Sequence, residues 1–512
     1  MRSRTLLLPD HLLRTPVAVA LLVILLAAGA GGAAVAAPYL TPLALLAACA
    51  TLCVLPSLPK LGGLVNLALR LRWWQALWLA LYLSGLTLRV RTSDAAVDAP
   101  VDAAAAVRIA LVALTGFGVL LAMAFGKVDL LAAMSRGFFL PLLFFNLANI
   151  ASTAWSVNPG WTLYKSIEHT IDTMLIAVIV SHLRTTDEYK RLFDWTWLLS
   201  GLVLLSVGFG AIWAPDRALS HGTGALGVSI EGVIPVVSRN GVGGLSALLS
   251  VVAIARIATG SANRRLYACL LGISATMLII SQTRSALLPV VLAVPFVLIA
   301  TRRTRWLVPF GIVVVAMVAM GGLRDPIEAY VLRESQFTQQ NATLSGRLYY
   351  WSFAWEQFEE RPLTGYGAYA GGRFLVGQAF DETLSSAHGA FPEILIGTSI
   401  WGVLPIFALL VGVWVFLLRR VWTFARRGAG LGLEQALAIE ATAALIVVTV
   451  RAFFTVELIW HPSLTFLAIV GYAEYLRRQG RLATETAAAI PAAKTSYRTE
   501  ASGRAGARPA GP

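Results

Sequence analysis

Residues 387–410 read AHGAFPEILIGTSIWGVLPIFALL. From Phe391 to Leu418 a single carboxylate, Glu393, interrupts an otherwise uncharged run. Roughly 17–25 apolar residues suffice to cross the hydrocarbon core of a bilayer as a helix. Backbone groups in lipid must be satisfied within the segment, which selects a helix over an isolated strand. The run has no alternating pattern of the kind a membrane barrel strand needs. A histidine, His388, stands just where this span begins. Histidine is the side chain that most readily exchanges protons near neutral pH, so the stretch raises a question of chemistry as well as of fold.

Working outward, the same signal recurs along the chain. Its 512 residues are 57% hydrophobic and 13% charged, with a mean hydropathy of +0.72. A soluble chain of this length would need more charge to cover its surface. The fold class is therefore all-α: a polytopic integral membrane protein with about 12–14 transmembrane helices. The spans fall near 16–36, 40–57, 73–88, 108–125, 137–154, 169–183, 192–214, 243–260, 266–282, 285–301, 306–322, 392–418, 434–450 and 453–476. The basic start MRSRTLLLPDHLLR, the apolar run after Val17 and the small residues AAVAAP resemble a signal peptide. A second apolar run follows at once, which favours an uncleaved first span. Cys49, Cys53 and Cys269 all lie in apolar runs and read as packing residues, with no disulfide framework or zinc site.

Charge orders the topology. With residues 1–15 inside, most of the 41 Lys and Arg fall on the same side, in short loops such as SANRR, TRRTR and RRVWTFARR and in the tail. Much of the +14 net charge is thus a topology signal and gives no support to nucleic-acid binding. Residues 16–321 form the main transmembrane part, 322–391 one large outer loop, 392–476 the last spans, and 477–512 a disordered cytoplasmic tail. A second outer segment covers about 214–242. Within the large loop, RLYYWSFAWEQFEERP places Leu348, Trp351, Trp355 and Phe358 at helical spacing, as in a helix lying against something apolar. Ser345 is the expected N-cap, and Pro362 with Gly365 the stop signal.

Three residues stand out as candidates for chemistry. Arg284, in SQTRSALL, is the only charge between Arg265 and Arg302, at a tight outer turn of a helical hairpin. Such a charge is costly unless it is solvated or paired; the plain alternative is an arginine snorkelling to headgroups. Arg347, in SGRLYYW, falls in the first turn of the loop helix, where the dipole opposes a cation and welcomes an anion. That placement makes sense where a phosphate is held; the plain alternative is a solvated surface arginine. His388 has small neighbours that leave room for a ligand, although a lone loop histidine is usually just solvated. Glu393, five positions on, either orients it or caps the helix. Arg239, opening the span after the second outer segment, is a further residue for the site's surroundings.

Other signals fail. HGTGALG at 221–227 holds a G-x-G-x-x-G match, but in an outer loop with no strand expected before it. There is no P-loop and no H-E-x-x-H. His169, His221, His388 and His461 all map to the outer side without ligand spacing. Neither metal nor cofactor is expected. With nucleotide sites unsupported, the energy source is an activated lipid donor or a gradient.

Taken in order, AWSVNPG at 154–160, SQTRSALL with Arg284, SGRLYYW with Arg347, PLTGYGAY at 362–369 and AHGAFPEILIGTSIWGVLPIFALL with His388 resemble the O-antigen ligase and polymerase superfamily of bacterial envelope proteins. The resemblance covers roughly Ala151 to Ile469. One departure stands at Gly389, where family members often carry Asn or another polar residue. The resemblance implies a metal-independent glycosyltransferase at the outer face of the bacterial inner membrane. Its donor would be a glycan on a polyprenyl diphosphate held by Arg284 and Arg347. His388 would act as general base on an acceptor hydroxyl. The acceptor would be lipid A core in a ligase, a second lipid-linked glycan in a polymerase, or a protein hydroxyl. A flippase or transporter for the same lipid is the alternative of a different class, with Asp172, Glu440 and Glu457 as its pathway residues. Membrane lipids are the expected surroundings; the sequence does not determine an oligomeric state.

Overall fold

The computed structural model describes residues 72–87, 103–125, 128–221, 228–233, 235–261, 263–312, 347–380, 386–426, 431–460 and 464–481. The expected spans at 16–36 and 40–57, Cys49, Cys53, Ser345, His461 and the tail beyond Arg481 lie outside these residues. The described part is a helical bundle, as a strongly apolar chain poor in charge requires. Its principal helices are α1 (Trp73–Thr87), α2 (Ala103–Ala124), α3 (Phe139–Ala151), α4 (Pro159–His182), α5 (Thr186–Trp213) and α6 (Arg239–Thr259). They continue with α7 (Arg264–Ser281), α8 (Arg284–Ala300), α9 (Arg347–Glu360), α10 (Ala390–Arg426), α11 (Leu433–Ala452) and α12 over 464–481. Six of the described helices are long and apolar enough to cross a membrane, and two shorter apolar helices accompany them. The protein is an all-α polytopic membrane protein.

Burial separates inner from outer helices. Along α6 almost every side chain is buried, against α7, α8 and α11. Its glycines and serines allow this close approach. On α2, Val107, Leu114, Phe117 and Leu120 are exposed, an apolar face suited to lipid. Between α3, α11 and α9 runs α10.

The backbone of α10 is interrupted at Ser399, with φ 55° and ψ −141°. An interrupted helix leaves carbonyls without intrahelical partners. Here the loop after α9 supplies them: the N–H groups of Tyr366 and Gly367 donate to the carbonyls of Ile396 and Gly397 at 2.9 Å each. The Ser399 hydroxyl donates to the Pro362 carbonyl. The same loop grips AWSVNPG from its other side. Trp155 Nε1 donates to the Thr364 carbonyl at 2.6 Å, Val157 N to the Tyr366 carbonyl at 3.0 Å, and the Thr162 hydroxyl to the Ala368 carbonyl at 2.9 Å. Three sequence motifs that look independent are thus one joint.

Gly367 is the tightest point of that joint. Its φ is +99°, and an added Cβ would lie 2.1 Å from Ser156 Oγ. Gly367→Ala combines backbone strain with overpacking, each about 1–3 kcal/mol. We expect a clear fall in the melting temperature of the detergent-solubilised protein. An unchanged value would show that the loop gives way.

The loop helix α9 forms as expected, with Ala354 buried and Tyr350 and Phe353 packed against Tyr366, Val376 and Ile396. Leu348 and Trp355, on its apolar stripe, are 42% and 53% exposed, a face open to apolar surroundings. Three expectations need correction. The last span does not start at 453: residues 453–460 form turns, and helix resumes at 464. A strand does precede the glycine match at 222–227, since Leu219–His221 pairs antiparallel with Val228–Ile230. A hairpin, with no helix after the glycines, is still no dinucleotide fold. Finally, Glu440 pairs with Arg256 at 2.7 Å and accepts from Trp197 Nε1. Arg256 lies in the last turn of α6, so Glu440 is engaged in an ion pair there.

Candidate active site

The site forms where several helices begin. At the end of α7, Gln282 takes a left-handed conformation (φ 50°) and turns the chain into α8, whose first residue is Arg284. The Thr283 hydroxyl donates to the Arg239 carbonyl at 3.2 Å. Gly243 makes this nesting feasible, because a Cβ there would sit 2.6 Å from Thr283 Cβ. Arg239 is likewise the first residue of α6, so this bond ties together two helix starts. The structure places Arg239 by its backbone beside Arg284.

Arg347 is the first residue of α9, and its Cζ lies 5.5 Å from the Phe454 ring. Burial, then Arg451, then Arg284 push its guanidinium pKa below the ordinary value. The direction means that the charged form is held at a cost, desolvated and facing like charge. Two of the three sequence candidates are therefore neighbours. Their companion, Arg451, escaped the sequence reading. It lies in the last turn of α11 and is fully buried. Its Nε donates to Glu457 Oε2 at 2.8 Å and its Nη2 to the Asn240 carbonyl at 3.2 Å and to Glu457 Oε1. Nη1 is buried without an acceptor. Gly244 leaves room for this side chain: an added Cβ would be 2.6 Å from its Cζ. A signal was present, a lone charge at the end of TAALIVVTVRAFF, but a basic residue ending a span reads as an interfacial anchor.

His388 also has positive φ, 50°. Its ring meets the Tyr350 ring edge-on, with centroids 4.8 Å apart. Tyr350 lies one helical turn past Arg347 and packs against Phe380 at 4.5 Å. The histidine is thus positioned by the helix that Arg347 opens. Gly389 explains the departure from the family pattern: an added Cβ would lie 2.9 Å from the Phe453 carbonyl and 3.1 Å from Pro392 Cδ. Phe391 and Phe453 seal the same contact at 5.1 Å. So the start of α10 abuts the segment that carries Arg451 and Phe454. Glu393 is buried, and its Oε2 accepts from the Ala387 N–H at 2.9 Å. It fixes the backbone just ahead of the histidine. Gly372 lies directly against its carboxylate.

Helices α6 and α8 begin with arginine, Arg347 is the first described residue of α9, and α10 begins two residues after His388. Helix N-termini present unsatisfied N–H groups and partial positive charge. Added guanidiniums make this corner strongly anion-seeking and able to bind phosphate oxygens in pairs. Among the described residues no group of three or more His, Cys, Asp and Glu could hold a metal ion. His169 is spent on Asn146 at 2.7 Å and on the face of Phe145.

Residues 268–407 match the family model described as O-antigen ligase. The matched segment runs from within α7 into α10 and contains Arg284, Arg347 and His388; Arg239 and Arg451 lie beyond its ends. No curated protein shows significant similarity to the chain. Over this part of the chain the match supports the resemblance to the O-antigen ligase and polymerase superfamily, a group of ligase- or polymerase-like glycosyltransferases.

Proposed function

We propose that this protein transfers a glycan from a polyprenyl diphosphate to an acceptor hydroxyl, as an O-antigen ligase-type enzyme at the outer face of the inner membrane. The observation that carries the reading is the gathering of Arg284, Arg347 and Arg451 where helices start, with His388 alongside. A diphosphate leaving group needs positive charge and paired donors, and guanidinium supplies both. Arg284 and Arg347 hold the diphosphate. The acceptor oxygen attacks the anomeric carbon, the bond to the diphosphate oxygen breaks, and His388 takes the hydroxyl proton. Exposed Leu348 and Trp355, on the helix opened by Arg347, offer an apolar surface for the polyprenyl chain.

Deletion in the native host, with gels of lipopolysaccharide and secreted polysaccharide, tests the reading. Loss of capping of lipid A core identifies a ligase, and single repeats in place of long chains a polymerase. Unchanged profiles overturn both. Because the arginines supply the charge, transfer by the purified protein should persist in EDTA. Loss of activity that one divalent ion restores would contradict the proposed chemistry.

A further inference from the structure

On the other side of Glu393 lies a second polar cluster that the mechanism does not use. Lys165, on α4, is buried, with Nζ 5.3 Å from the ring centre of Trp161, 5.1 Å from Tyr164 and 5.9 Å from Trp460. Arg373 stacks on the same two indoles, its Cζ 4.8 Å from Trp161 and 5.6 Å from Trp460. Two cations therefore share two aromatic faces. Glu168 pairs with Lys165 at 2.6 Å and with Arg108 at 2.9 Å, and Arg373 lies within electrostatic reach of the Glu393 carboxylate. Both indole N–H groups, on Trp161 and Trp460, are buried without an acceptor. Each such donor costs roughly 1–3 kcal/mol when left unmet. The rings themselves, with Tyr164 and Arg373, are partly exposed.

Arg373 sits in a one-turn π-helix, Gly371–Leu375. Such turns are rare and frequent at functional sites. From sequence it reads as an ordinary loop arginine; the structure gives it a built environment. The cluster is also continuous with His388. Gly372 touches the Glu393 carboxylate, which holds the Ala387 N–H. Trp460 lies three residues beyond Glu457, the partner of Arg451.

We propose that Trp161, Tyr164, Lys165, Arg373 and Trp460 form an acceptor subsite for an acidic sugar, one bearing a carboxylate or phosphate. The partly exposed ring edges border the sugar, the two indole N–H groups meet its oxygens, and the cations that stack on the indoles meet its anion. The assignment to acceptor rests on the proposed function: the base faces the acceptor, whereas the arginine corner faces the diphosphate. Acceptor sugars extend from His388 past Glu393 toward this cluster.

The test is binding by the full-length detergent-solubilised protein without donor, read by tryptophan fluorescence. Glucuronate and glucose 6-phosphate are titrated against glucose, with pyrophosphate as the probe of the arginine corner. The acidic sugars should bind about tenfold or more tighter than glucose, the worth of one charge-assisted hydrogen bond. Arg373→Gln should abolish that preference and leave pyrophosphate binding intact. Trp460→Phe, which keeps a ring and removes one N–H, should weaken both acidic sugars severalfold. Arg347→Gln should do the reverse of Arg373→Gln. Equal binding of glucose and glucuronate overturns the subsite, as does acidic-sugar binding lost in Arg347→Gln and kept in Arg373→Gln. Either result leaves the proposed function standing, because that depends on transfer by the His388 and Arg347 variants.

Discussion

His388→Ala is expected to lower transfer about 10²–10⁴-fold, the usual contribution of a positioned general base, while leaving protein level and donor binding intact. A sugar hydroxyl is a poor nucleophile until its proton has somewhere to go. The histidine stands at the start of α10, edge-on to Tyr350, one turn from Arg347. His388→Gln should fail as well, since an amide forms a hydrogen bond but takes no proton. Lipid-linked donor should accumulate in cells carrying either variant. The decisive measurement is transfer rate at saturating donor, with protein level followed by blot. Near-normal transfer by either well-expressed variant would remove His388 from the chemistry. Glu393 would then be the next residue to test, although its Oε2 is already engaged by Ala387.

The sequence makes Arg284, Arg347 and His388 legible because each is a polar residue where an apolar pattern begins or turns. The helix dipole argument for Arg347 needs only the position of a helix start. Arg451 is different. Its meaning depends on Glu457, Asn240 and Gly244, which come from another helix and from beyond the helix end. Nothing local in TVRAFF announces them. The joint between AWSVNPG, PLTGYGAY and the interrupted α10 is hidden for the same reason. Each motif reads as a loop or a span, and only the exchange of backbone hydrogen bonds across more than 200 residues shows one unit. Membrane class, by contrast, follows from composition alone.

The geometry of the arginines should matter as much as their charge, and Arg347 offers the sharpest test. Ammonium cannot make the paired contact that guanidinium makes to phosphate. Losing one charge-assisted hydrogen bond costs about 1.5–3 kcal/mol, or roughly 10–100-fold in rate. Arg284→Lys and Arg347→Lys should each show a loss of this size. Arg305→Lys, at an exposed position beyond the far end of α8, should lose almost nothing. Equal, mild effects at all three would mean that positive charge alone suffices. Stability separates the phosphate reading from a merely structural one. Burial and two like charges lower the Arg347 pKa, so the folded protein holds this charge at a cost. Arginine stays protonated across the accessible pH range, so that cost does not titrate away and only substitution removes it. Arg347→Gln should therefore melt at the same temperature as the wild type or higher when no donor is present. The order should reverse with pyrophosphate. A ligand at 100 times its Kd stabilises by about 2.7 kcal/mol, and the wild type should gain this where the variant does not. A variant that melts lower in both conditions would show that Arg347 supports the fold, and the diphosphate would have to be held elsewhere.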